Sequence, residues 1–373
     1  KVIMFSTDRR LFEEGSAVRA RVREYGRLFD ELCVIVPTPR GGPFRETKLA
    51  GNVMLYPTRS KGKFSMFLAL FRIGSGILAG GSKDFCITAQ DPFGLGFLAY
   101  LLAKRFRVPL QLQVHTDFLS PYFTRSLLSR IERLLAFLLL PRASSVRVVS
   151  RRIGDALVAR RIVAEERITV LPVFVDIQKS MDTPAFERLW PSFSPAVLMV
   201  SRFEPEKDVE SGLEAFRGLL ASHPQAGLLI AGSGSERARL EKRVSEFGIG
   251  ENVLFLGWQQ PQKLRELLWR VDIFLNTSRF EGYGMSLVEA AAAGCPIVTS
   301  DVGLVGDVLT EEEILVCPPG EKECFTSKLA ELADSASLRG GLGRKGREAV
   351  LERVISSKQA YLELFKDSFR LCR

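Results

Sequence analysis

The chain has 373 residues, 46% of them hydrophobic and 25% charged, enough to bury one large core or two ordinary ones, which excludes a peptide, a disordered tail and a fibrous repeat. Its net charge of +9 is uneven: residues 1–175 hold 28 Lys and Arg against 14 Asp and Glu, whereas residues 176–373 hold 24 against 29. A first half at +14 and a second at −5 predict two domains, one of which faces something anionic: membrane lipid, nucleic acid or a phosphorylated substrate.

Short β-branched or apolar runs alternate with longer amphipathic segments, the pattern of parallel sheets with helical crossovers. In the first half, strands are expected near 2–6, 32–36, 53–56, 85–88, 110–114, 146–149 and 168–171. Glu14-Gly15-Ser16 follows the first strand. Two stretches, Lys61 to Arg72 and Arg125 to Arg142, mix cations with large apolar residues. Either could lie in an anionic membrane interface with its arginines snorkelling, but the simpler expectation is that one apolar face covers the sheet. Val114-His115-Thr116-Asp117 ends a strand on a histidine, a position that serves structure or chemistry, with Asp117 on the same side of an extended chain.

Residues 176–195, with Asp182-Thr183-Pro184, Trp190-Pro191-Ser192 and Pro195, show neither period and read as an interdomain linker. A second series begins at Ala196–Val200, with strands near 227–231, 253–256, 272–276, 296–299 and 313–316, and ends in an amphipathic helix from about Ile355 to Phe369. The expected fold class is α/β, with two doubly wound, Rossmann-like domains facing each other across a cleft.

The six cysteines contain no CxxC pair and sit mostly in apolar runs, so they are expected as buried free thiols of a reducing cytosol. With two histidines, His115 and His223, and no ligand-spaced cluster, a zinc site has little to be built from. No apolar run approaches the roughly 20 residues that span a bilayer. The chain opens directly on a strand, so no signal peptide is expected.

The densest chemical signal is the string from Phe280 to Pro296, which joins two expected strands through an Ala-rich helix. Gly282 and Gly284 let backbone approach a ligand, and the helix N-terminus near Ser286 offers N–H groups to oxygens. Glu281 and Glu289 could both accept hydroxyl protons from a polyhydroxylated ligand. The alternative is that Ser286-Leu287-Val288-Glu289 is a capping box and Glu289 merely closes its own helix. Arg202 and Lys207, five residues apart after a strand, suit a diphosphate, although loop cations are commonly just solvated. Gly232-Ser233-Gly234 ends another strand and is either ligand-facing or a simple βα turn.

Taken in order, Arg202…Lys207, Gly232-Ser233-Gly234, Phe255-Leu256-Gly257, Glu281 with Glu289 eight positions on, and Val316-Cys317-Pro318-Pro319-Gly320 resemble the family 4 retaining glycosyltransferases of the GT-B fold. The resemblance is strongest over residues 196–320. It implies an N-terminal acceptor domain over 1–180, a C-terminal nucleotide-sugar domain over 195–350, and a helix in 351–373 packing back toward the first. It further implies that Arg202 and Lys207 hold the donor diphosphate and balance leaving-group charge, that Glu289 takes the ribose hydroxyls, and that Glu281 sits at the donor sugar. Backbone N–H groups from Gly282 through Tyr283 and Gly284 to Met285 would meet sugar or phosphate, Gly232 would line the donor site, and Gln259 would lie near the nucleobase. His115 corresponds to a sugar-side histidine and Gly15 to a phosphate-facing first loop, where many members have two glycines and this chain has one.

The chain contains no Asp-x-Asp, so neither metal nor cofactor is expected, and retention by front-face departure follows from the resemblance. Expected partners are a UDP- or GDP-linked sugar, a glycan or polyprenyl or glycolipid acceptor and an anionic membrane surface. Nucleic acid is not among them, because no recognisable module is present. The expected location is cytoplasmic, at the inner membrane face. Two rivals stay open: a non-catalytic nucleotide or polyanion binder, and a GT-B sugar-nucleotide epimerase acting without acceptor.

Overall fold

Strands buried on both faces must be apolar throughout, and the runs Val2-Ile3-Met4-Phe5 and Leu32-Cys33-Val34-Ile35-Val36 are fully buried in this way. The computed structural model describes residues 1–80, 84–124, 126–181, 190 and 192–372. It divides into two units, one of Lys1–Pro172 with Gln359–Arg373 and one of Val173–Lys358.

In the first unit the strands are β1 (Val2–Phe5), β2 (Leu32–Val36), β3 (Thr47–Ala50), β4 (Val53–Pro57), β5 (Cys86–Ala89), β6 (Leu110–Val114), β7 (Ser145–Val148) and β8 (Ile168–Val170). They form one sheet in the order β3-β4-β2-β1-β5-β6-β7-β8. The pairs are parallel except β3 with β4, which is antiparallel. β3 is absent from the expected strands because Thr47-Lys48-Leu49-Ala50 buries only Leu49 and carries no apolar run.

The second unit holds β9 (Ala196–Val200), β10 (Gly227–Ala231), β11 (Val253–Gly257), β12 (Ile273–Asn276), β13 (Ile297–Ser300) and β14 (Leu315–Cys317), ordered β11-β10-β9-β12-β13-β14 and parallel throughout. Phe203, Phe216 and Phe325, all fully buried, anchor its core. The strand order reverses between β9 and β12 here and between β1 and β5 in the first unit. In an open α/β sheet, ligands bind outside the carboxyl ends of the strands at such a reversal. The loops leaving β9 and β12 carry Arg202, Lys207 and Glu281.

Residues 173–180 belong to the second unit, which runs on through the helix Ala336–Arg353 to Lys358. The final helix, Lys358–Asp367, packs in the first unit: Tyr25 stacks on Phe365 with ring centroids 4.1 Å apart, and Gln111 Nε2 donates to the Ser368 carbonyl at 2.7 Å. Of the expected linker, Asp182-Thr183-Pro184 and Pro191 lie outside the described residues, as does Arg125.

Two expectations are corrected. Cys317 and Cys324 form a disulfide, so only Cys33, Cys86, Cys295 and Cys372 are free thiols, all four buried. The chain turns after β14 through Pro318-Pro319-Gly320, with Gly320 at φ +88°, and the helix Lys322–Asp334 brings Cys324 back to a Cα distance of 5.8 Å from Cys317. A seven-residue spacing hides this pairing from a search for CxxC. The second correction concerns helix Leu127–Leu139, which buries Ala136 and Leu139 but leaves Leu127 75% and Leu134 68% exposed, so its large residues do not simply cover the sheet. Helix Lys63–Ala79 similarly buries Leu70, Gly74 and Leu78 while exposing Phe64 and Leu68. Among the described residues, no helix is long and apolar enough to cross a membrane.

Candidate active site

The loops after β9 and β12 are fastened to each other before any ligand is considered. Asp208 adopts a left-handed φ of +48°, and its carboxylate pairs with Arg279 through Oδ2 to Nε at 3.0 Å and Oδ1 to Nη2 at 3.3 Å. Thr277 Oγ1 donates to the Asp208 carbonyl at 2.9 Å, and the Arg279 N–H donates to the Glu206 carbonyl at 2.8 Å. A non-glycine residue at positive φ costs about 1–3 kcal/mol, and these bonds hold it in place.

This fastening brings Lys207 to Glu281. Lys207 Nζ lies 2.5 Å from Glu281 Oε1, with the two side chains only 13% and 15% exposed. Ser278 Oγ lies 2.8 Å from Glu281 Oε1 and 2.8 Å from Asn276 Oδ1, so its single proton serves one of the two at a time. Asn276 Nδ2 donates to Thr299 Oγ1 at 3.0 Å, which orients the amide. Glu281 therefore has one oxygen anchored, while Oε2 makes no hydrogen bond among the described residues. Arg202 sits on the same loop, exposed, and pairs with Glu206 at 2.9 Å. Both expected diphosphate cations thus carry a carboxylate partner in this structure.

Helix Met285–Ala292 begins on Gly284, which supplies the N-cap at φ +98° without a side-chain cap bond. Ser286 is inside the helix, so the capping-box alternative does not hold, and the Glu289 carboxyl makes no protein hydrogen bond among the described residues. Burial raises its pKa above the usual glutamate value, opposed by the nearby Arg265 guanidinium. Tyr283 is buried, its phenol pushed up to about 12 by burial and by Asp307. The Leu304 N–H donates to the Tyr283 carbonyl at 2.9 Å, an approach open only because Gly303 lacks a Cβ that would lie 2.2 Å from that oxygen.

Gly232 and Gly234 pack against the Arg202 loop. A Cβ on Gly232, at φ +150°, would lie 1.8 Å from the Ser201 carbonyl oxygen, and one on Gly234 would lie 2.4 Å from that of Phe203. Their lack of side chains lets that loop close onto β10. Trp258 is exposed, while Gln259 Nε2 donates back to the Leu256 carbonyl at 2.5 Å.

In the first unit, Gly15 takes φ +79° just before Ser16, whose Oγ caps the helix Ala17–Gly26 by accepting from the Arg19 N–H at 3.2 Å. His115 leaves β6 on the same strand face as Gln111 and Gln113. Its Nε2 lies 3.0 Å from Gln113 Oε1, an oxygen that also accepts from Arg147 Nη1 at 3.2 Å. Arg147 has only donors, so that atom is the amide oxygen, and His115 must donate to it from Nε2. Nδ1 is then the unprotonated acceptor. Burial first, then Arg147 and Arg21, hold the imidazole pKa down at about 3, so the ring is neutral at physiological pH. Asp117, by contrast, spends Oδ1 on the N–H groups of Leu119 and Ser120, both at 3.1 Å, and closes a turn.

A family model described as "Glycosyl transferases group 1" matches residues 182–349, and one described as "Glycosyl transferase 4-like domain" matches residues 15–173. The chain belongs to the GT-B family 4 glycosyltransferases. Its activity is glycosyl transfer from a nucleotide-sugar donor. The glycosyltransferase is 27% identical over 360 residues to the sulfoquinovosyl transferase SQD2 of Arabidopsis thaliana, covering 90% of this chain and 68% of that protein. Among solved structures it resembles a sucrose-phosphate synthase from Thermosynechococcus elongatus, with TM-score 0.77 at 20% identity over 99% of this chain and 98% of that one. It also resembles Anabaena HepE in complex with UDP and glucose, with TM-score 0.72 at 16% identity over 99% of each chain. These two likenesses show the fold.

In this glycosyltransferase the structure joins Lys207 to Glu281 and sets Arg202 on the same loop. Asp208, Asn276, Ser278 and Arg279 went unseen in the sequence, although a run of four polar residues after an apolar strand, Asn276-Thr277-Ser278-Arg279, was a usable signal. Gln113 and Arg147 were also missed, and the polar alternation Gln111, Gln113, His115 in β6 marked them.

Two outcomes follow. Gly232→Ala should displace the Arg202 loop and weaken binding of UDP or GDP by about tenfold or more, a steric effect of a few kcal/mol, measurable by calorimetry. On the expectation that Glu289 takes the ribose hydroxyls, its raised pKa means that its protonation on acidification starts above the ordinary glutamate range, so nucleotide affinity should fall there as pH drops. The ratio of wild-type to Glu289→Gln affinity cancels phosphate titration and should decline toward low pH; a flat ratio would remove Glu289 from the ribose.

Proposed function

We propose that the chain is a retaining, metal-independent hexosyltransferase that moves a hexosyl unit from a UDP- or GDP-linked sugar to a lipid-linked glycan or glycolipid at the cytoplasmic membrane face. The observation that carries this reading is Glu281, anchored through Oε1 by Lys207 and Ser278 with Oε2 open, at the strand-order reversal of the second unit. The diphosphate takes the charge of Arg202 and Lys207 and the free N–H groups that open helix Met285–Ala292. Glu289 accepts from the ribose hydroxyls, and Glu281 Oε2 accepts from the hexose. Neutral His115 accepts a sugar hydroxyl at Nδ1.

Departure of the diphosphate breaks the anomeric C–O bond, the acceptor oxygen forms the new bond on the same face, and the departing phosphate oxygen takes the acceptor proton. Fixed cations at that phosphate lower the barrier because they are already oriented where negative charge builds. The acceptor is assigned to the first unit, whose excess of cations suits an anionic carrier. The exposed Leu127 and Leu134 beside Arg130 and Arg133 support peripheral membrane contact.

A panel of sugar nucleotides, with release of each nucleoside diphosphate as readout and an excess of chelator present, tests the reading. Release of one nucleotide dependent on acceptor and insensitive to chelator is expected, with the product anomer matching that of the donor. Isomerised sugar from donor alone would make the chain an epimerase, and nucleotide binding without release across all acceptors would make it a binder.

A further inference from the structure

At the carboxyl ends of β2 and β4 the first unit holds a basin of about 390 Å³, outside the candidate active-site residues described above. Arg40 enters it from the loop after β2, Arg59 and Lys61 from the loop after β4, and Arg72 from helix Lys63–Ala79. Among the described residues, none of these four cations pairs with a carboxylate. Exposed cations of the second unit do pair, as in Arg237 with Glu241 at 2.8 Å and Lys322 with Glu214 at 2.6 Å.

The basin is fixed by its backbone. The Arg40 N–H donates to the Ser60 carbonyl at 3.1 Å, and the Ser60 N–H to that of Thr38 at 2.9 Å, so the β2–β4 pairing continues past the strand ends. Buried Thr58 Oγ1 accepts from the Thr38 N–H at 2.9 Å, and buried Thr38 Oγ1 accepts from the Arg59 N–H at 3.0 Å. Arg59 is thereby held at φ +48°, a left-handed conformation that a non-glycine residue adopts only when its surroundings impose it. Four cations lining one basin with no carboxylate partner among the described residues suit an anion with several oxygens, which can take forked bonds from the guanidinium groups.

We propose that this basin is a phosphate-binding site that holds the phosphate group of the acceptor, and the inference rests on the acceptor being bound by the first unit. The rim favours a lipid phosphate over a soluble one, since Phe64 stands 77% and Leu68 53% exposed beside the cations. The apolar pair would lie against the hydrocarbon end of the acceptor while the guanidinium groups hold its phosphate.

The test compares the full chain with Arg59→Gln/Arg72→Gln and with Phe64→Ser/Leu68→Ser. One arm is co-sedimentation with vesicles of phosphatidylglycerol and phosphatidylcholine in equal parts, against phosphatidylcholine alone, at low salt. The other is calorimetry with inorganic pyrophosphate. Loss of the two arginines should weaken both arms by about 10- to 30-fold, and loss of the apolar pair should weaken only the vesicle arm. Wild-type binding by the arginine variant in both arms overturns the site. Wild-type vesicle binding by the apolar variant overturns the lipid source and leaves a soluble phosphate. UDP and GDP binding to the same proteins reports the donor site separately: its absence from the wild-type chain would sink the transfer reading while leaving the basin untouched.

Discussion

Glu281→Ala is expected to lower kcat by about 10²- to 10³-fold, the size of effect seen when a fixed electrostatic contact to a developing charge is removed. Affinity for the nucleoside diphosphate should be maintained. The reason lies in what the carboxylate touches. Oε1 is held by Lys207 at 2.5 Å and Ser278 at 2.8 Å, so the group cannot swing away, and in the proposed reading the open Oε2 is the oxygen that meets the sugar. As the anomeric carbon gains positive character, attraction to that oxygen grows, and only an interaction that grows in this way raises kcat. Deleting Glu281 also releases Lys207 from its ion pair and leaves it freer to engage phosphate. Lys207→Ala should therefore behave differently, losing nucleotide affinity and kcat together. The pair of variants, each measured for UDP and GDP binding and for acceptor-dependent release, separates a sugar-side carboxylate from one that merely holds the lysine. Wild-type turnover in Glu281→Ala, or parallel losses of affinity in both variants, would remove the catalytic role.

The fold was legible where physics writes in runs. Apolar strands such as Val2–Phe5 and Ala196–Val200 have to be continuous because both their faces are covered, and the two series around a polar gap announce two sheets. β3 was illegible because an edge strand buried at a single residue has no pattern to show. The Cys317–Cys324 bond was illegible because it depends on how Pro318-Pro319-Gly320 turns, which no spacing rule encodes. At the site, Arg202, Lys207 and Glu281 stood out through the order of motifs. The pairing of Lys207 with Glu281 did not, since they are 74 residues apart and meet only because β9 and β12 are neighbours in the sheet. Glu289 shows the opposite case, in which a local rule offered a competing reading: the capping box that Ser286 and Glu289 would form is set aside because the helix starts earlier, on Gly284.

Arg147→Met is expected to destabilise the first unit by about 3–5 kcal/mol, a drop in unfolding midpoint of roughly 6–20 °C for a body of this size. Arg147 is only 3% exposed, and its charge is met by dipoles. It donates to the carbonyls of Leu171 and Pro172 at 3.1 Å each, to Gln113 Oε1 at 3.2 Å and to the Tyr361 hydroxyl at 3.1 Å, and it lies over the Phe365 ring at 5.2 Å. One side chain thus ties β6, from which His115 leaves, the chain segment at Leu171 and Pro172 and the final helix. Methionine matches the length but takes the guanidinium donor from the Leu171 and Pro172 carbonyls, while Gln113 Oε1 keeps the bond from His115 and the Tyr361 hydroxyl keeps Tyr25, and each carbonyl so deprived costs on the order of 1–3 kcal/mol. The same change acts on His115. Arg147 is the second cause, after burial, of the low imidazole pKa, so its removal should raise that pKa from about 3. Folded-state depression below the usual 6.5 means that stability falls as pH drops from about 6.5 toward 3; in Arg147→Met that window should narrow from its acid end. Thermal scans across this range check the stability, and ring-nitrogen NMR of His115 checks the proton: Nε2–H in the wild type, and a mixture of tautomers once Gln113 loses the bond that orients it. An unchanged midpoint together with an unchanged tautomer would show that the buried cation fixes neither the final helix nor the histidine.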